Sequence, residues 1–319
     1  MKNYMLTLCT LAVIFTPITS VWGTDNFTGD FLSLGSGARQ LGMGSASAAT
    51  ATDATASYYN PALLTSLTSR EVNFMHSEQF GGLENYNSIS LGAPLTENEY
   101  IGITLLHLGV GDIKYTTVWD PSRAPGDSNR VEVASLEDAA DYTLFLSGAK
   151  HFTDKLDIGT SIKVIRRSVG DDTAFGFGID LGMRYKLNER ITVGANIRDI
   201  TGTTIAWDGH SNDRIAMTTD IGAAYMGEAP LIGGQYLVTA SMLFFGDSPD
   251  IKGINTMNFG GEYIIADYIA FRAGSDRGHG TFGMGLKRLP LISSSSFDYA
   301  FLSHEEFDST HRISMTIRF

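Results

Sequence analysis

The sequence predicts an all-β fold, a transmembrane antiparallel β-barrel of about fourteen strands with a small N-terminal helical plug. Three observations carry this prediction: a secretory leader, a glycine-rich stretch without alternation, and a long series of segments in which apolar and polar residues alternate. Successive side chains of a strand point to opposite faces, so alternation gives one apolar and one polar face. A wall between lipid and a polar lumen needs this pattern.

The first 23 residues have the composition of a secretory signal peptide. Lys2 supplies a positive charge, residues 5–18 are mostly apolar, and Gly23 precedes the expected cleavage point. We expect residues 1–23 to be removed after export. Cys9, the only cysteine of the chain, would leave with them, and the mature protein would then have neither a disulfide nor a cysteine metal site.

Charge and composition restrict the classes of function. The chain has a formal net charge of -12, and this acidic balance with few basic runs argues against nucleic acid as a partner. No later segment approaches the roughly 18 consecutive apolar residues that a spanning helix needs. If the chain spans a membrane, it therefore does so as a closed barrel.

The block from residue 24 to residue 69 predicts a plug inside the barrel. It is rich in Gly, Ala, Ser and Thr, which bury little apolar area and need a surrounding wall. Asn60 suits a helix N-cap and Pro61 suits the first helical position, so a short helix is expected through Leu67. About eight strands is the size at which wall side chains alone fill a barrel, and a wider one needs other contents. The predicted plug motif is Asp53, Asn60, Pro61 and Ala62.

From residue 70 onward the period changes to two, which predicts the barrel over residues 70–319. The clearest segment is 175–187, where all seven odd positions are apolar. An even number of strands, as single-chain bacterial barrels require, follows from the whole set. The predicted strands are 72–79, 84–95, 100–110, 142–152, 156–167, 175–187, 190–199, 214–226, 236–246, 255–265, 268–275, 281–288, 296–303 and 311–319.

The connections predict the orientation of the barrel. Residues 111–140 and 200–213 are expected to form long loops on the outer side, whereas the turns on the other side are short. This asymmetry places the C-terminus in the periplasm.

Charged residues on the even-numbered side of the strands are expected to face the lumen, because they would be costly against lipid. We expect them to anchor the plug through ion pairs and hydrogen bonds rather than to contact a ligand directly. They are Asp157, Lys163, Asp180, Arg184, Lys186, Glu262 and Arg312.

The last nine residues alternate without a break. Ile313, Met315, Ile317 and Phe319 lie on one face. A final strand ending in Phe, in an exported chain, resembles the closing strand by which outer-membrane barrels are recognised for assembly. The alternative is the last strand of a secreted sandwich. The first interpretation predicts an assembly signal, with the barrel assembly machinery and outer-membrane lipid as partners.

Three motifs resemble chemical sites. Residues 278–283 match GxGxxG, but no helix follows them and a hairpin loop is expected. His210 with Asp208 and Asp213 would suit a calcium site or an acid and histidine cluster in a loop, as would the segment 304–308 with His304, Glu305, Glu306 and Asp308. No nucleophile has a base at a recognisable spacing, and we predict no catalytic residues, no metal site and no cofactor.

The N-terminal block resembles the PorV/PorQ family of outer-membrane proteins, which are relatives of the fatty acid transporter FadL. The similarity lies in residues 35–39, 41–44, 53–54 and 59–62, and it continues along the strands. The matching strand segments are 154–156, 158–159, 163, 193–196, 261–263, 272–274 and 310–314.

The resemblance implies a fourteen-stranded barrel around a plug that contains the Asn-Pro-Ala motif. It also implies a role in type IX secretion, with secretion components and secreted cargo as partners. Two alternatives stay open: passive uptake of hydrophobic small molecules by a plugged FadL-like barrel, and a structural or adhesin-like barrel that acts through its outer loops.

Overall fold

A computed structural model describes residues 27–209, 212–229, 233–246, 256–289, 292–303 and 309–319. Sixteen strands lie in one sheet, and all their pairings are antiparallel. The strands are β1 (Glu71–Gln79), β2 (Glu84–Pro94), β3 (Glu99–Val118), β4 (Val131–His151), β5 (Leu156–Val169), β6 (Asp172–Lys186), β7 (Ile191–Arg198), β8 (Thr203–Trp207), β9 (Asp213–Ile215), β10 (Thr218–Glu228), β11 (Gln235–Phe245), β12 (Thr256–Ile265), β13 (Ile269–Asp276), β14 (His279–Leu289), β15 (Ile292–Leu302) and β16 (Thr310–Arg318).

Fourteen of these strands close into a barrel, which confirms the predicted fold class. The ring runs from β1 to β7 and from β10 to β16, and β1 pairs with β16 to close it. At the seam Glu71 lies opposite Arg318, and the Phe319 N–H donates to the Arg70 carbonyl oxygen at 3.0 Å. Closure leaves no free edge along the wall.

The two faces of the wall differ as the alternation predicts. On β6, Phe175 and Phe177 are each 55% exposed on the outside, whereas Asp180 and Arg184 are buried on the inside. Apolar side chains therefore face the surroundings, and polar side chains face the lumen.

The predicted loop over 111–140 is wrong. β3 and β4 continue through most of it as a long hairpin, and only residues 119–130 form the turn. Val118 lies opposite Val131 and Thr116 opposite Val133, so β-branched residues pair across the hairpin. Both faces of this projecting hairpin are exposed, and charges interrupt the alternation that marks a half-buried strand. We call the end of the barrel from which it projects the hairpin end, and the opposite end, with Phe319, the terminus end.

The predicted strand 214–226 and the predicted loop 200–213 also need correction. Residues 213–215 belong to β9, which pairs with β8, and β8 pairs in turn with β6. The long strand resumes only at Thr218. Two short connections, residues 199–202 and 216–217, link this small hairpin to β7 and β10.

The N-terminal segment fills the barrel. It contains a 3-10 helix (Phe27–Ser33), α1 (Ala38–Gly42), α2 (Ala56–Tyr59) and a second 3-10 helix (Pro61–Ser66). Asn60 caps the last of these, as expected, but the helix is 3-10 rather than α. Within the residues that the structure describes, no helix has the length and apolar character needed to cross a membrane.

Candidate functional site: the plugged lumen

Wall glycines allow the backbone of the plug to touch the wall around most of the lumen. A Cβ added at Gly194 would overlap the Ala48 carbonyl oxygen, and one added at Gly274 would lie 2.6 Å from the Gly44 nitrogen. An added Cβ would meet plug atoms at wall glycines on nine strands, and these include backbone atoms on seven strands but are side-chain atoms at Gly102 and Gly222. The wall glycines involved are Gly92, Gly102, Gly159, Gly182, Gly194, Gly222, Gly260, Gly274 and Gly283. At these glycines the plug therefore lies directly on the wall, with no wall side chain between them.

Asn60 joins three parts of the structure. Its Nδ2 donates to the Ala48 carbonyl oxygen at 2.7 Å and to the Met183 carbonyl oxygen of β6 at 3.0 Å. Its Oδ1 accepts from the Ala62 N–H at 3.1 Å, which is the cap of the 3-10 helix that begins at Pro61. One buried amide thus fixes the start of this helix, the middle of the plug and the wall.

Asp53 has a local role in the plug. Its Oδ1 accepts from the Thr55 N–H at 2.9 Å and from the Thr55 hydroxyl at 2.5 Å. The carboxylate therefore holds the turn that leads into α2.

A buried ion network joins the plug to the wall on the β12–β15 side. Arg39 of α1 binds Glu262 of β12 through two nitrogens, at 3.0 and 2.9 Å. Arg272 of β13 binds the same carboxylate at 2.7 Å and Asp298 of β15 at 2.8 Å. Each charge is paired, as buried charges must be.

Arg184 and Arg312 fix the plug at its two ends. Near the terminus end, Arg184 donates to Asp157 at 2.5 Å, to Thr65 at 2.7 Å and to Ser66. Arg312 donates to the carbonyl oxygen of Leu34, nearer the hairpin end. Both arginines therefore donate hydrogen bonds to oxygen atoms of the plug.

Lys163 belongs to a network within the wall. Its Nζ lies 2.9 Å from Asp180 and 2.8 Å from Asp199, and all three side chains are buried. Asp199 also accepts from the Thr203 hydroxyl, and its own N–H donates to Asp180 at 2.8 Å. The network holds the connection that follows β7, residues 199–202, against β5 and β6.

The remaining predicted residues lie on β6, on β16 and at the C-terminus. Lys186, at the last position of β6, is half-buried. On β16, Ile313 is exposed on the outside, Met315 and Ile317 are half-buried on the same face, and Phe319 is exposed. Their role as an assembly signal stays a prediction.

Apolar side chains lie on top of the plug at the hairpin end. Phe31 of the first 3-10 helix is buried, whereas Leu34, Leu108 and Trp207 are partly buried and pack against the core. The Arg167 carbon Cζ lies 4.8 Å from the centre of the Phe31 ring and 5.8 Å from that of Trp207. We call Phe31, Leu34, Leu108, Arg167 and Trp207 the mouth cluster.

The candidate loop sites do not form a metal centre among the described residues. Asp208 accepts from the Thr173 hydroxyl at 2.6 Å, and Asp213 accepts from the Trp207 indole at 2.8 Å. His210 and residues 304–308 lie outside the described residues, and within the described part no group of three or more His, Asp and Glu side chains is placed to hold a metal. The GxGxxG motif begins at the second residue of the two-residue turn 277–278 and continues into β14, so it is part of a hairpin.

The sequence-based analysis missed several members of these networks. Arg272 and Asp298 lie on strands whose apolar and polar residues alternate. This alternation would have placed both side chains in the lumen. Arg39 and Phe31 lie in a segment without a period, where no pattern marks the inward face.

Comparison with known proteins finds no matching family model and no matching curated protein. Solved structures do match. The Pseudomonas putida toluene transporter TodX shares 14% identity over 94% of this chain and 98% of its own, with a TM-score of 0.57. This chain therefore has the same barrel fold as this transporter.

Two further structures agree with this assignment of the fold. The monoaromatic hydrocarbon channel CymD matches with a TM-score of 0.57, at 13% identity over 89% of this chain and 98% of its own. The Ralstonia pickettii toluene transporter TbuX matches with a TM-score of 0.56, at 12% identity over the same shares. Identities this low concern the fold alone. No match that we found supports the finer PorV/PorQ resemblance.

Proposed function

We propose that this protein is a passive diffusion channel of the outer membrane for small hydrophobic molecules. The observation that carries the proposal is the mouth cluster, because partly buried Leu34, Leu108 and Trp207 offer apolar contact at the entrance of a closed barrel. The fold shared with hydrocarbon channels supports it. In this proposal the hairpin end faces outward and residues 1–23 direct export.

The seated plug constrains how such a channel would work. The plug contacts wall glycines on nine strands, and in this proposal it closes the middle of the lumen to ions. A hydrophobic molecule that enters at the hairpin end must therefore pass when the plug shifts or when the wall opens.

Uptake by intact cells tests the function. The cells used should have an outer membrane with a lipopolysaccharide outer leaflet. Cells that express the protein should take up labelled toluene several-fold faster than cells that lack the protein. Leu108→Asp should remove most of this gain, because a charge at the mouth opposes entry of an apolar solute. Glu97→Asp, in an exposed turn at the terminus end, is the matched control. An equal uptake rate with and without the protein would refute the proposal.

A cysteine pair tests the route. A Cβ at Gly222 would lie 3.1 Å from the Ala48 Cβ, so Ala48→Cys with Gly222→Cys can bond after a small shift. If the plug moves during passage, oxidation should reduce toluene uptake and a thiol reductant should restore it. Uptake that does not respond to oxidation would assign the route to an opening in the wall.

The projecting hairpin supports a second candidate, the type IX secretion role implied by the PorV/PorQ resemblance. Val131, Val133 and Leu136 lie opposite Val118, Thr116 and Lys114, which are alternate residues of β3, so they share one face. All three are exposed. An exposed apolar face beyond the barrel suits contact with another protein.

Shortening the hairpin separates the two candidates. Replacing residues 113–137 by a short Asn-Gly turn should leave barrel assembly and toluene uptake unchanged if the protein is only a channel. In a host with type IX components, loss of cargo from the cell surface would favour the secretion role. Unchanged cargo would exclude a requirement for the hairpin.

A further inference from the structure

Arg167 presents a cationic face rather than free donors. Its Nε and a terminal nitrogen bind the two carboxylate oxygens of Asp141, at 2.8 and 3.2 Å. This fork-to-fork pair uses the edge of the guanidinium. The Arg167 Cζ lies over two aromatic rings, 4.8 Å from the centre of the Phe31 ring and 5.8 Å from that of the Trp207 ring.

The chemistry of this arrangement selects rings over acids. A guanidinium over an aromatic face is attractive by about 0.5–2 kcal/mol, depending on desolvation. Asp141 occupies the two donors that would otherwise form a fork with another carboxylate, and its negative charge repels such a group. Ile205, two residues before Trp207 on β8, is apolar and buried, and so is Ile215, which packs against the helix of Phe31 at Gly29.

Phe31 reaches this position from a short element of the plug. The 3-10 helix that contains Phe31 also contacts β9. A Cβ added at Gly29 of this helix would lie 3.1 Å from Ile215 of β9. The Tyr58 hydroxyl donates a hydrogen bond of 2.6 Å to the carbonyl oxygen of the next residue, Leu32, and so fixes this part of the helix. The ring of Phe31 is therefore held against the Arg167 guanidinium at the mouth.

We propose that Arg167 and Trp207 form a binding site for a neutral monoaromatic molecule, and that Phe31 occupies this site as an internal substitute for the ligand. A free ligand then binds by replacing Phe31. This inference rests on the proposed function, whose substrate class it narrows. An internal competitor lowers the apparent affinity, because the intrinsic association constant is multiplied by the fraction of time for which the site is open.

Trp207 fluorescence tests the site directly. After loss of residues 1–23, Trp119→Phe leaves Trp207 as the sole tryptophan. Toluene is titrated into this protein in detergent, with methylcyclohexane as a probe of similar size that has no aromatic face. Phe31→Ala should lower the half-saturating toluene concentration about tenfold, because it removes the competitor and leaves an apolar cavity. The gain for methylcyclohexane should be smaller.

Two further variants separate ring recognition from cavity filling. Phe31→Ala with Arg167→Met should bind both probes alike, because no cationic face is left. Phe31→Leu, which keeps apolar volume, should show a smaller gain with the same preference for toluene. Equal gains for the two probes in Phe31→Ala, or no gain in either Phe31 variant with an intact barrel, would overturn the proposal. Binding as predicted without any effect on uptake in cells would instead contradict the proposed transport function.

Discussion

The side-chain amide of Asn60 donates to the main-chain carbonyl oxygen of Met183 at 3.0 Å, and this bond joins the plug to the barrel wall. A carbonyl oxygen in a wall strand accepts a second hydrogen bond from inside the lumen. Wall and plug are therefore parts of one hydrogen-bonded structure.

Asn60→Ala should destabilise the plug. The change leaves the Ala48 carbonyl oxygen and the Ala62 N–H without their buried partner, at about 1–3 kcal/mol for each unpaired group. We expect a partial leak, measured as ion conductance above wild type in planar bilayers. Thr96→Ala, in an exposed turn, is the control. Conductance equal to wild type would mean that other contacts hold the plug.

Gly194→Val should unseat the plug from one side. The new side chain would overlap the Ala48 carbonyl oxygen, so the plug loop must move away from β7. The expected result is raised conductance in a barrel that still closes. Gly148→Val is the matched control, because a Cβ at Gly148 meets open space. An equal effect of both variants would attribute the change to the strands rather than to the plug.

Lys163→Met should be strongly destabilising. It leaves Asp180 and Asp199 buried without their cation, a loss of about 3–5 kcal/mol. The folded fraction after graded heating, read from the gel shift between folded and unfolded barrels, measures the effect. Adding Asp180→Asn and Asp199→Asn should restore much of the stability, whereas Lys155→Met in an exposed turn should change nothing. A triple variant as unstable as the single one would contradict this explanation.

Ile317→Asp, or removal of Phe319, should lower the amount of assembled barrel. A charge on the outward face of a closing strand costs up to a few kcal/mol, and β16 is the partner that closes β1. Export through the inner membrane should stay normal, which cleavage of the leader reports. Normal assembly of both variants would show that the terminal residues carry no assembly signal.

The sequence predicts the wall better than it predicts the contents of the lumen. Alternation on β6 identified Asp180 and Arg184 as inward residues, because each strand separates an apolar from a polar environment. The same rule failed over 111–140, where both faces of the hairpin meet solvent and no environment imposes a period.

The plug contacts had no comparable signal. Phe31 and Arg39 contact partners on strands far along the chain, and their positions depend on how the segment packs against the wall. Asn60 was predictable as a cap because capping is local. Its bond to Met183 was not, because it depends on the packing of plug against wall.

The most direct test of the account is the conductance of a variant that lacks residues 30–62. About fourteen strands enclose a lumen that wall side chains alone do not fill, and in this structure residues of the N-terminal segment touch the wall through glycines on nine strands. The variant, with its leader kept, should assemble as a barrel and conduct ions in planar bilayers far above wild type. A low conductance equal to wild type, from a barrel shown to be folded by its gel shift, would mean that the N-terminal segment does not close the lumen.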